Sequence, residues 1–151
     1  MNTSKVTALD HTLQETGAWL DDLAGDGPFA NREQAYSWLR AVLHSLRDRL
    51  TVEEATHLAA QLPMLVRGFY YEGWRPALAP NAEETRAEFY ASVAESLHAA
   101  APAEAEMESG VRAVFDLLLR RLSEGQVRHV LSQMPADIRG LWAVEAPSAS
   151  T

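Results

Sequence analysis

Glu54 and His57 stand three residues apart in Glu54-Ala55-Thr56-His57, so on a helix a carboxylate and an imidazole share one face. Di-iron carboxylate bundles hold metal with this spacing, which makes the pair the first place to look for chemistry. Such a site needs a second Glu-x-x-His and two further inward acids. The chain supplies Gln126-Val127-Arg128-His129 instead, with an amide where the ligating acid should stand. A ligand set this thin does not suit a transition metal, and no metal or cofactor is expected. His57 and His129 are still matched residues, as are Gln61 and Gln133 one turn later. With Glu54 they form a candidate ligand site. The architectural alternative places each His at the edge of a core stripe. Each Gln then ties down backbone groups freed where a proline interrupts the helix. Glu54 has a structural post as well, completing a capping box begun by Thr51.

A second cluster is aromatic. Residues 67–76 read Arg-Gly-Phe-Tyr-Tyr-Glu-Gly-Trp-Arg-Pro, with four aromatics among the six residues from Phe69 to Trp74. A short helix and its following turn cannot send all of them inward. Tyrosine, tryptophan and arginine are enriched at protein interfaces. Arg67, Phe69, Tyr70, Tyr71, Trp74 and Arg75 are therefore the candidate partner-binding residues. The alternative is that Tyr70, Tyr71 and Trp74 cover a seam in the core. No Gly-rich phosphate loop, G-x-S-x-G or H-E-x-x-H occurs, and the chain has no cysteine. Enzymatic activity is not expected.

Both clusters belong to a larger pattern. Residues 40–68, RAVLHSLRDRLTVEEATHLAAQLPMLVRG, align without a gap on residues 112–140, RAVFDLLLRRLSEGQVRHVLSQMPADIRG, at a constant offset of 72. Eleven of the 29 positions are identical, His57/His129, Gln61/Gln133, Pro63/Pro135 and Gly68/Gly140 among them. Self-similarity of this kind sets the architecture before any single residue does. The expected fold is all-α: two tandem four-helix repeats, eight helices in all, packed as one pseudo-two-fold domain over residues 1–151. Repeat one is assigned to 8–74 and repeat two to 81–145, with a disordered tail at 146–151. Repeats of this size are marginal alone, and the connector at 74–80 is short and carries two prolines, which favours fusion.

The helices that must position these residues have legible periods. Ala35, Leu39, Val42, Leu43, Leu46 and Leu50 lie on one stripe of a 3.6-residue helix. Adding 72 gives Met107, Val111, Val114, Phe115, Leu118 and Leu122, apolar throughout. Core helices are predicted at 33–49 and 105–121. Short helices follow the prolines at 63–71 and 135–143, and leading helices occupy 12–24 and 82–98. The start signals are capping boxes at Thr12-Glu15, Thr51-Glu54 and Ser123-Gln126, with Asn31 and Asn81 as further N-caps. Arg49 and Arg121 fit the carbonyl ends of their helices. No segment alternates as a strand should.

Composition narrows the function. Apolar residues make up 47% and charged residues 23%, ordinary values for a globular domain. The net charge of −8, with 12 Arg and one Lys spread along the chain, disfavours nucleic acid. No apolar run approaches a membrane span, and the N-terminus lacks a signal-peptide core, so a cytoplasmic location is the default.

The string RL-x-x-x-EA-x-HLAAQLP-x-x-x-RG-x-YYEGW, with HTLQETGAWL before it and QMPADIRGLW in the second repeat, resembles a bacterial family. That family is catalogued only as a domain of unknown function, number 2267, and the likeness spans residues 8–143. The resemblance implies an all-helical cytoplasmic protein and carries no catalytic residues with it. The expected function is a non-enzymatic interaction or regulatory module that binds a protein partner or a second copy through residues 69–75. The alternative is a small-molecule or metal-binding protein with its site between the repeats, at Glu54, His57, Gln61, His129 and Gln133.

Overall fold

The structure, a computed structural model, describes residues 4–82, 85–98 and 102–142. The expected tail at 146–151 and the last residues assigned to repeat two lie outside them. Among the described residues the protein is all-helical, with eight α-helices and no strand. They are α1 (Thr7–Asp26), α2 (Arg32–Arg49), α3 (Val52–Ala60), α4 (Met64–Tyr71), α5 (Arg86–Leu97), α6 (Glu104–Arg121), α7 (Glu124–Ser132) and α8 (Ala136–Arg139). One 3₁₀ turn at Pro76–Leu78 lies in the connector. No helix is long and apolar enough to cross a membrane among the described residues.

The offset in the sequence reappears in the element bounds. Adding 72 to both ends of α2 gives both ends of α6, and the same holds for α3 and α7. Their apolar stripes are inward: Leu39, Val42, Leu46, Val111, Val114 and Leu118 are all fully buried. Pro63 and Pro135 stand at the N-caps of α4 and α8. Thr51 and Ser123 cap α3 and α7 by accepting the Glu54 and Gln126 backbone N–H groups, and Asn31 caps α2 through Gln34.

Packing interleaves the two halves. α1 contacts α2 and α4 and also α6, while α5 packs along α2 and against α8. α2 also meets α6, and α3 meets α7. Each half thus buries its apolar stripe partly against the other, and a single core results. Ion pairs reinforce the crossing: Arg120 and Arg121, at the end of α6, both reach Asp22 of α1 at 2.8 and 3.1 Å. Burial raises the Asp22 carboxyl, but the hydrogen bonds and charges of Arg120 and Arg121 outweigh it and leave it below the ordinary value.

Three start signals resolve differently from expectation. Thr12 is not an N-cap: α1 begins five residues earlier, at Thr7, and Thr12 is buried inside it. Its hydroxyl accepts the Leu65 N–H at 3.0 Å. Pro63 has no side-chain acceptor to offer α4's first turn, so α1 supplies one. Asn81 is not an N-cap either. Thr85 and Glu88 form the reciprocal capping box of α5, and Asn81 instead accepts Arg49 Nη1 through its carbonyl at 2.7 Å. Arg49 and Arg121 stand in the last turns of their helices and also hold Asn81 and Asp22. The Thr51–Glu54 box is only half made. The Thr51 N–H goes to Gln133 Oε1 at 3.1 Å, across the boundary between the halves.

Candidate functional site

A helix turns about 100° per residue, so consecutive aromatics on α4 must diverge. Tyr70 points to the core, fully buried, with its hydroxyl donating to the Ala55 carbonyl at 2.8 Å. Burial there holds the phenol far above its ordinary pKa. Phe69 turns the other way, half-buried, with its ring edge-on to Tyr36 at 5.1 Å. Tyr71 and Trp74 are half-buried and stack on each other at 5.4 Å. The Trp74 indole nitrogen is buried without a hydrogen-bond partner. Arg75 is exposed beside a small concavity of about 180 Å³ lined with Asp48, Leu78 and Asn81. Arg67 faces inward and braces the α3–α4 joint, donating to the Ala59 and Leu62 carbonyls at 3.0 and 2.9 Å. The run from 67 to 75 is therefore divided among several surroundings.

α2 holds this segment in place. His44 Nε2 donates to the Phe69 carbonyl at 2.6 Å, and Arg47 Nη1 donates to the carbonyls of Tyr70 and Glu72 at 2.7 and 2.9 Å. These are the orphan acceptors of α4's last turn. Burial pushes the His44 pKa below its ordinary value, and the Phe69 carbonyl opposes this without reversing it, while the Arg47 and Arg40 charges add to the lowering. The imidazole stays neutral and keeps its Nε2 proton for Phe69.

Phe69 opens onto the larger concavity, about 540 Å³, at the junction of α1, α2 and α4. Leu13, Thr16, Gly17 and Leu20 line it from α1, Arg32 and Tyr36 from α2, and Leu65, Gly68, Phe69 and Glu72 from α4. Leu13, Tyr36 and Leu65 are all exposed. Val6 and Leu9 continue α1's outer stripe, since positions 6, 9, 13 and 20 fall on one helical face. Met64 stands one turn before Gly68. Three of the eight large apolar side chains exposed among the described residues, Leu13, Tyr36 and Leu65, line the concavity itself. Thr16 Oγ1 is buried on its wall with no hydrogen-bond partner. Arg32 pairs with Asp21 at 2.6 Å and Arg40 with Glu72 at 3.2 Å around its rim.

The other candidate residues sit along the α3–α7 contact. Glu54 is mostly buried, with Oε2 3.7 Å from His129 Nδ1. Glu54 Oε1 and Gln126 Nε2, at equivalent positions of the two copies, are buried without partners. Gln133 accepts the Thr51 N–H at the start of α3, while His57 and Gln61 are exposed. The carbonyls near Pro63 that Gln61 was expected to tie down are taken by Arg67. Glu54, His129 and Gln133 are thus brought to one seam. Among the described residues no three His, Asp or Glu side chains are grouped to hold a metal ion.

Sequence reasoning picked out Phe69 and Arg67 but missed Leu13, Tyr36 and Leu65. A signal existed: Leu9, Leu13 and Leu20 form a second apolar stripe on α1, flanking the inward Trp19 and Leu23 about 80° round the helix. Nothing in the pattern marked His44 and Arg47, which interrupt α2's inward stripe to serve a helix 25 residues on.

An all-helical domain with one interleaved core and an apolar groove rimmed by ion pairs is the class that fold and surface define. The family model described as "Uncharacterized conserved protein (DUF2267)" matches residues 16–141, and the chain belongs to that family. No curated protein matches the chain.

Proposed function

We propose that this protein is a non-enzymatic interaction or regulatory module whose working surface is the α1–α2–α4 face. The observation that carries it is the concavity of about 540 Å³ lined by the exposed Leu13, Tyr36 and Leu65 together with the half-buried Leu20 and Phe69. Scattered single apolar residues are normal on a surface, but contiguous ones around a concavity mark interaction sites. Phe69 is the member of the aromatic run that joins this surface, and Arg67, Tyr70 and His44 give it a rigid backing. The test is face-dependent capture of a protein by the wild type compared with arginine variants. A partner retained by wild type and by Leu78→Arg, and lost by Leu65→Arg, supports the reading. Equal retention by all three sinks it.

The pseudo-two-fold relation of the two repeats is likewise our proposal. Two contacts support it beyond the shared register. In an isologous contact a residue near the axis meets its own equivalent. Trp38 and Gly110 are 72 apart, and the Trp38 ring lies where a Cβ on Gly110 would stand, its Cε3 2.6 Å away. Glu54 pairs with His129, whose equivalent is His57, on the facing helix. Superposing 32–70 on 104–142 in an experimental structure tests the relation, and a poor fit of α3 with α7 sinks it.

A further inference from the structure

We infer that the partner seated on the α1–α2–α4 face is a second copy of this chain, joined across a two-fold axis that sets α1 against its mate. The inference rests on that face being the working surface and goes on to name its occupant.

Charge selects the occupant. Each copy carries a net −8, so most faces of two copies repel. The rim of this groove differs, because its charges come in opposed pairs: Arg32 with Asp21 and Arg40 with Glu72. In an isologous contact every interaction is made twice. Each arginine of one copy can therefore face a carboxylate of the other, and the reverse. An acidic partner meets Asp21 and Glu72 on this rim, and a basic one meets Arg32 and Arg40. A copy presents both signs in matching order around a matching apolar centre.

Gly68, which lines the groove, leaves room there for a side chain of the second copy. It lies inside α4, outside the left-handed region, and a Cβ there would meet nothing within 4 Å. Glycine in a helix interior is unfavourable relative to alanine, and no contact within its own chain requires it. Its equivalent, Gly140, shows what such a gap can serve. A Cβ at Gly140 would stand 2.8 Å from Arg86 Nη2, so there the space is taken by a guanidinium of the chain itself. At Gly68 the corresponding space is open and borders the groove.

The face also approaches the size of an interface. α1 has 20 residues and so runs about 30 Å. α2 has 18 residues and α4 eight, so with neighbouring helices roughly 9 Å apart the three outline roughly 600 Å², against roughly 800 Å² per partner in a standard interface.

Sedimentation equilibrium of the full chain tests this. The wild type should behave as a dimer of the 16.7 kDa chain. Leu13→Arg and Leu65→Arg should each weaken the dimer by at least about 30-fold, the loss expected of a central interface residue. Gly68→Phe, which blocks the groove floor from the solvent side, should do the same, whereas Leu78→Arg should leave the dimer intact. Thermal unfolding of the variants checks that the monomer still folds, and Gly68→Phe serves if either arginine unsettles α1 or α4. A monomeric wild type at every attainable concentration overturns the inference, as does a dimer that survives all three face variants. A monomer that still captures another protein through Leu65 sinks the dimer and keeps the interaction face. A monomer with no face-dependent capture sinks both.

Discussion

Gly110→Ala and Gly68→Ala are the same chemical change at two helix interiors and should have opposite effects. Adding a methyl to a mid-helix glycine gains about 1 kcal/mol from propensity alone. At Gly68 nothing opposes that gain, since the new Cβ meets only open space. The variant should be more stable as a monomer by about 0.5–1 kcal/mol. At Gly110 the new Cβ would stand 2.6 Å from Trp38 Cε3 and Cη2, against an optimal separation of about 3.5–4.0 Å. The Trp38 ring would have to move by about 1 Å, yet it is buried and wedged by Phe29 at 5.7 Å. Overpacking of this kind costs about 1–3 kcal/mol, which exceeds the propensity gain. Urea unfolding should place Gly110→Ala up to about 2 kcal/mol below wild type, equivalent to a few degrees in Tm for a chain of this size. Adding Trp38→Leu should relieve the clash, giving a coupling above about 0.5 kcal/mol in the double-mutant cycle. A Gly110→Ala variant as stable as Gly68→Ala would refute the close α2–α6 crossing.

The inward stripes predict that Leu46→Ala and Leu118→Ala each cost about 2–5 kcal/mol by urea unfolding, because both side chains are fully buried. Equal costs within error would favour matched core positions, and a negligible cost at either would contradict the packing. His44 has a folded pKa below its ordinary value, so its contribution to stability is complete above about pH 6.5 and declines as the pH falls through the folded value. Tm should therefore drop on moving from pH 7 to pH 5, and His44→Gln, whose amide can still donate to the Phe69 carbonyl, should flatten that slope. An unchanged slope assigns it to other groups. Residues 4–82 expressed alone should show no cooperative unfolding, because α2 loses α5 and α6 and α1 loses α6; a sharp thermal transition for that half would show that each repeat closes its own core.

Periodicity carried the sequence reading a long way where the partner of a side chain is the core itself. The stripes of α2 and α6, the capped starts of α3 and α7 and the proline breaks before α4 and α8 were all legible, because each depends on residues within one or two turns. Legibility failed where a polar group serves another element. Thr12 looks like a local cap, yet its hydroxyl answers Leu65. Gln133 looks like a brace for its own proline break but accepts the Thr51 N–H at the start of α3. Asn81 resembles an N-cap and is held by Arg49. No local pattern distinguishes such donors and acceptors, since their partners lie tens of residues away. The surface was half legible for a related reason. The aromatic run drew notice to residues 69–75, but α4's rotation sends Tyr70 inward and leaves Phe69 to the groove. The groove's other apolar members lie on α1, whose outer stripe begins before the expected helix start.

The working face is tested most directly by photocrosslinking in the cell in which the protein is made. A photoreactive phenylalanine replaces Leu65 on the face or Leu78 away from it, both exposed apolar positions. Leu65 should yield a discrete covalent adduct, to a second copy of the chain or to another protein, while Leu78 yields none. Adducts from Leu78 with none from Leu65 would contradict the assignment of the α1–α2–α4 face.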